Sequence, residues 1–204
     1  MGLTIHYTLS VKRGTTVRWL KNLLRRTQRL ARKLGCADAG EILETSESWL
    51  LEVWPGEGCE TAVFGIEGHR RELPRKKGQA AWRRRYSKLR DWRLDAFCKT
   101  QYAGEHGWEH FRACHLRVIQ LLDLWREAGA RVEVRDEGHY WETRSESGLA
   151  KELAEYDRLI AGLGGMLKDA NDEGDVVAPI FNYRNFERLE HEGQQLIRER
   201  RMAS

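Results

Sequence analysis

The sequence predicts an α+β fold, ferredoxin-like or a related antiparallel sheet covered by helices, with extra helices at the C-terminal end. Three observations carry this. Residues 3–9 alternate apolar and polar with period two, as a half-buried strand does. Residues 16–34 and 108–127 carry apolar stripes at three-and-four spacing, each followed by a Gly that can end a helix. Between them lie strand-like runs punctuated by Gly and Pro. A single elaborated domain over residues 1–204 holds all of these.

In the first strand, Leu3, Ile5, Tyr7 and Leu9 face one way and Thr4, His6 and Thr8 the other. Thr15 or Thr16 can cap the helix that follows. Its stripe is Leu20, Leu23, Leu24, Leu30, Ala31 and Leu34, and Gly35 is placed to end it. Residues 41–54 and 60–67 read as two strands around a turn at Pro55-Gly-Glu-Gly58. Residues 68–91 break the pattern, so they read as a basic loop with a short helix around 80–90. Residues 92–102 resume alternation, with Leu94, Ala96, Cys98 and Thr100 against Arg93, Asp95, Phe97 and Lys99.

The second helix places Phe111, Cys114, His115, Val118, Leu121, Leu122 and Trp125 on its buried side. Residues 131–135 and 139–143 flank Asp136-Glu-Gly138 and predict a hairpin. Residues 147–204 form a helical extension. Its first helix spans 147–169, where Gly162, Gly164 and Gly165 either weaken it or allow close packing. A charged helix over 186–200 closes the chain.

The net charge of +4 hides a division. Residues 1–100 hold 21 Lys/Arg against 11 Asp/Glu, and residues 101–204 hold 14 against 20. The positive half concentrates in two places. One is the outer side of the first helix, with Arg18, Lys21, Arg25, Arg29 and Arg32, and no acid between Lys12 and Lys33. The other is the segment 68–91, with ten Lys/Arg, among them Lys76, Lys77, Arg83, Arg84 and Arg85, and with Trp82 available for stacking. Such surfaces attract nucleic acid or another polyanion by neutralising phosphates and releasing counterions. A solvated helix face beside a charged loop is the plain alternative.

Other classes lose support. No run of 18 apolar residues exists, so neither a membrane span nor a membrane partner is expected. The N-terminus lacks the apolar stretch of a secretion signal. Cys36, Cys59, Cys98 and Cys114 include no Cys-x-x-Cys pair, so free thiols in a reducing cytoplasm are expected, with no metal centre and no cofactor. The phosphate-binding loop, His-Glu-x-x-His, Gly-x-Ser-x-Gly and dinucleotide fingerprints are all missing.

Candidate chemistry is limited. His6-Tyr7-Thr8 offers one His-x-Thr motif, but a two-histidine phosphoesterase needs a second, and none follows. His6 can still act from an open sheet face with Asp95, Lys99 or Cys98, as in a small hydrolase or phosphodiesterase-like enzyme. His106, His110 and Cys114 recur every four residues, a ligand spacing on a helix, although Gly104 and Gly107 delay the helix start. Asp136, Glu137, His139 and Glu142 gather acids near a hairpin tip. Cys59, after Gly58, and Cys98, before Lys99, are candidate nucleophiles.

The runs Leu3-Thr-Ile-His-Tyr7, Trp54-Pro-Gly-Glu-Gly-Cys-Glu60, Phe97-Cys-Lys-Thr-Gln-Tyr-Ala103, Cys114-His-Leu116 and Asp136-Glu-Gly-His-Tyr-Trp-Glu142 resemble a group of bacterial hypothetical proteins. The resemblance implies a bacterial intracellular setting and brings no activity with it. A nucleic-acid or polyanion binder, a small enzyme on the open sheet face, and an adaptor for a protein partner remain as function classes.

Overall fold

The computed structural model describes residues 3–72, 86–170 and 177–202. An antiparallel six-stranded sheet forms its centre, in the order β2-β3-β4-β5-β1-β6. The strands are β1 Thr4–Ser10, β2 Asp38–Glu44, β3 Ser48–Trp54, β4 Ala62–Glu72, β5 Tyr86–Lys99 and β6 Arg131–Asp136. Helices α1 Val17–Lys33 and α2 Trp108–Glu127 cover one face.

Period-two alternation supplies the sheet's half of the core. Ile5, Tyr7 and Leu9 of β1, Leu51 and Val53 of β3, and Phe64 and Ile66 of β4 are buried beneath the two helices. Leu20, Leu23 and Leu24 of α1 and Val118, Leu121, Leu122 and Trp125 of α2 meet them. The indole of Trp125 donates to Thr27 Oγ1 at 3.0 Å, and that hydroxyl donates to Leu23 O, so the buried polar atoms are satisfied.

Both ends of α1 follow the sequence. Thr16 Oγ1 accepts from Trp19 N at the start. Gly35, at φ +75°, ends it, and the Cys36 amide returns to Ala31 O. Similarly, Ser145 Oγ accepts from Gly148 N at the start of α4, Glu146–Asp169.

Three expectations need correction. The strand predicted over 41–54 is two strands, β2 and β3, reversing at 45–47. Here Thr45 N donates to Ser48 O at 2.9 Å, and Glu47 N donates to Thr45 Oγ1 at 3.1 Å. Hydroxyl side chains make this turn, with no Gly or Pro to mark it.

The second correction concerns 68–91. β4 and β5 continue into this segment as a two-stranded ribbon, pairing Gly68 with Trp92, His69 with Asp91 and Arg70 with Arg90. Residues 86–90 are strand rather than helix. The ribbon runs past Ser10, where β1 ends opposite Arg93, so it extends beyond its neighbour on that side and shows little apolar period. Lys76, Lys77, Trp82, Arg83, Arg84 and Arg85 lie outside the described residues.

Third, the hairpin predicted at 131–143 has only its first strand. Asp136 Oδ1 accepts from Gly138 N and Oδ2 from Trp141 N, both at 2.9 Å. Those two bonds curl the chain into a single helical turn, α3 Tyr140–Thr143, after His139 at φ +55°.

The C-terminal part is a helical hairpin of α4 and α5, Phe186–Met202. Glycine serves close packing here. A Cβ on Gly162 would lie 2.5 Å from Gly193 C, and one on Gly193 would overlap Arg158 O. Gly193→Val should therefore pry α5 from α4. Hydrogen exchange should rise across 186–202 while the sheet amides stay protected; unchanged protection in α5 would refute the packing role.

Candidate functional site

The uncovered face of the sheet sets polar side chains around an exposed Phe97. His6 and Thr8 of β1 share it with Asp95 and Phe97 of β5 and with Glu133 and Arg135 of β6, around a shallow concavity of about 450 Å³. Register sets the neighbours: His6 lies between Phe97 and Arg135, and Thr8 between Asp95 and Glu133. Thr8 Oγ1 donates to Asp95 Oδ1 at 2.7 Å, and Arg93 holds the other oxygen at 3.1 Å. The carboxylate nearest His6 is Glu137, at 3.7 Å.

The four candidate catalytic residues therefore divide. His6 and Asp95 share the concavity. Lys99 sits further along, opposite Thr4, with its ammonium 5.5 Å from the Tyr102 ring centre. Cys98 belongs to the other face, buried, with its thiol donating to Glu60 O at 3.1 Å. Burial, followed by the Glu60 carboxylate, pushes that thiol well above its ordinary range, which makes it a poor nucleophile.

A second arrangement escaped the sequence. The turn between β3 and β4 lies against α2, with His110 Nε2 donating to Glu57 O at 2.9 Å and Arg117 Nη1 to Pro55 O at 2.7 Å. Arg117 Nε also reaches Leu34 O at the end of α1. Beneath the turn, Cys114 Sγ lies 3.5 Å from His110 Nε2 and 3.8 Å from Arg117 Nη1. Gly56 makes this fit possible, since a Cβ there would sit 2.6 Å from the sulfur.

Cys59, at the end of the same turn, packs on the small apolar cluster that contains Cys114. The neighbouring Cys59, with His110 and Arg117, outweighs burial and lowers the Cys114 thiol below its ordinary range. The Cys59 thiol is pushed up by Cys114 and by burial. Spacing alone carries no pairing information, and Cys114 reads as one more member of a core stripe. The readable hint was a Cys directly after a Gly-rich turn.

His106 stands before α2, in the 3-10 turn Gln101–His106, and its ring centre lies 5.0 Å from that of His110. Among the described residues, no three His, Cys, Asp or Glu side chains are placed to hold a metal ion.

A third polar group lies wholly inside. Thr100, His115 and Asp136 are all buried. His115 Nδ1 lies 2.9 Å from Thr100 Oγ1, and Nε2 lies 3.3 Å from Asp136 Oδ2. An ionised carboxylate only accepts, so the proton is assigned to Nε2, leaving Nδ1 able to accept from the Thr100 hydroxyl. The order hydroxyl, imidazole, carboxylate resembles a nucleophile triad, yet no member reaches solvent. Its role is to tie α2 to β6 and α3.

The outer side of α1 presents the basic residues expected of it. Arg18, Arg25, Arg26, Arg29, Arg32 and Lys33 are exposed. Lys21 is half-buried and ion-paired with Glu44 at 2.7 Å. Among the described residues, none of the six exposed cations has a carboxylate within ion-pair reach. At 100° per residue, Arg18, Arg25, Arg29 and Arg32 fall within about 60° of one another, along a ridge of about 21 Å. No helix among the described residues is long and apolar enough to cross a membrane. No protein-family model, curated protein or solved structure matches the chain.

Proposed function

We propose that this protein binds nucleic acid through the phosphate backbone, in the cytoplasm, with the outer side of α1 as the contact surface. One observation carries the reading: a 17-residue helix with no acid, whose exposed arginines lack carboxylate partners among the described residues. The core already uses the apolar side of α1, so the basic side is free for a ligand. The sheet is read as an enlarged ferredoxin-like arrangement, in which a meander of β2 to β5 replaces the central hairpin.

The test is a salt titration of binding to duplex DNA and to single-stranded RNA. With four arginines each neutralising one phosphate, log Kobs against log salt should slope at about −3.6 on the duplex and about −2.8 on the single strand. Undetectable binding to both at low salt ends the proposal.

A second reading, a small hydrolase or phosphodiesterase-like enzyme, rests on the sheet concavity, where His6 and Asp95 share one rim. Its test is a phosphodiesterase and hydrolase screen of the wild type beside His6→Ala. Activity that survives His6→Ala, or none in the wild type, removes this reading.

A further inference from the structure

We propose that the cavity between α4, the 3-10 turn Gln101–His106 and the chain after Pro179–Asn182 binds a small organic ammonium ion, with Asp157 as its counter-charge.

Three parts of the chain build this cavity, whose volume is about 830 Å³. α4 contributes Leu153, Ala154 and Asp157. Glu105 comes from the 3-10 turn and Trp108 from the start of α2. Tyr183 follows the short 3-10 turn Pro179–Asn182. The volume lies within the usual span of small-molecule sites, and the lining has their usual make-up, apolar and aromatic with a few polar groups. Gly104 lets the walls come close, since a Cβ there would stand 3.0 Å from the Tyr183 hydroxyl.

Asp157 has no partner to explain it. Its Oδ1 is buried without a hydrogen bond, and no cation among the described residues pairs with either oxygen. Removing a carboxylate from water in this way is costly unless something pairs with it. Burial alone pushes the Asp157 carboxyl up to about 7, so no group of the chain offsets that cost. A cation in the cavity would offset it and hold the group ionised.

The acids converge on one place. Burial first, and then the carboxylates of Asp157 and Glu105, push the Tyr183 hydroxyl above its ordinary range. An anionic ligand would meet that same pair of acids, and Arg184, exposed, is the one Arg or Lys that lines the cavity. A bare metal ion is poorly served: among the described residues, no three His, Cys, Asp or Glu side chains are placed to hold one. An organic ammonium ion uses what is present. Its charge takes Asp157, its carbon part takes Leu153 and Ala154, and the Trp108 and Tyr183 rings favour a nearby cation.

The experiment titrates the full chain with benzylamine and, separately, with benzyl alcohol, which has the same ring and no charge. Calorimetry should show saturable binding of benzylamine, and the indole N–H signal of Trp108 should shift along with it in NMR spectra. Benzyl alcohol should bind at least about tenfold more weakly, as should benzylamine to Asp157→Asn, because each lacks the charged hydrogen bond. Ala154 is exposed, so Ala154→Trp fills part of the cavity without entering the core, and it should also abolish binding. That variant decides the matter if Asp157→Asn fails to fold. The proposal is overturned if millimolar benzylamine does not bind, if benzyl alcohol binds as tightly, if the Trp108 signal stays still, or if either folded variant keeps the wild-type affinity.

Discussion

Reversing two charges, Arg25→Glu with Arg29→Glu, should weaken nucleic-acid binding by at least about a hundredfold at 50 mM salt. Each arginine withdrawn from a phosphate lets about 0.9 of a counterion condense again on the duplex, worth roughly tenfold in affinity at that salt. The two factors multiply, and the new carboxylates repel the backbone as well. Both positions are exposed and carry no ion pair among the described residues, so stability should move by about 0.5 kcal/mol or less. The same reversal on α5, Arg198→Glu with Arg201→Glu, removes as much net charge from exposed positions elsewhere. It should cost about threefold or less. Fluorescence anisotropy with one labelled oligonucleotide separates the outcomes: equal losses for the two pairs would mean that net charge, and not the α1 surface, governs binding.

Asp136→Ala should destabilise the fold by about 3–5 kcal/mol, the usual cost of removing one partner from a buried pair. For a chain of this size that is a drop in Tm of roughly 6–20 °C. Asp136 accepts from His115 Nε2 and from the amides of Gly138 and Trp141, so three donors lose their partner at once. Replacing His115 with an apolar residue in the same chain should not restore stability, because the two amides stay unpaired. The site should also be visible in the pH dependence of unfolding. Burial opposes ionisation of Asp136, but His115 and the two amides outweigh it and hold its carboxyl below the usual range. A depressed native value means stability that is fully present above the unfolded value near 3.9 and lost as pH falls through the native one. Urea denaturation below about pH 4 should show this slope in the wild type and a shallower slope in Asp136→Ala. Equal slopes would exclude Asp136 as its source.

Where a residue's role was set by its immediate sequence neighbours, the sequence was readable. α1 and α2 followed from stripe and stop: Gly35 and Gly129, both at positive φ, stand where the periodicity ends. β1 followed from alternation alone. The reading failed where a side chain built the local structure. Thr45 and Ser48 make a reversal that no Gly or Pro announces. Asp136 turns inward and replaces a predicted strand with a helical turn. The ribbon beyond Gly68 misled for another reason, since a strand pair extending past its neighbours need show no apolar period.

The candidate sites divide along the same line. The α1 face is periodic and needed nothing beyond its own 17 residues. The surroundings of Cys114 bring Gly56 of the β3–β4 turn against His110 and Arg117 of α2, and only the packed fold makes them neighbours.

The place of β1 in the sheet has a consequence in time. β1 lies between β5 and β6, with Thr4 opposite Lys99 and Ile5 opposite Asp136, and leaves the ribosome before either. At about 5–20 residues per second, its second partner follows roughly 7–26 s later. Its first partner, β5, follows after roughly 5–19 s, and until then both edges of the strand lie open. Newly made chains should therefore depend on whatever shields such a segment, and refolding of the intact protein should be slow for its size, since its central pairings close the longest loops.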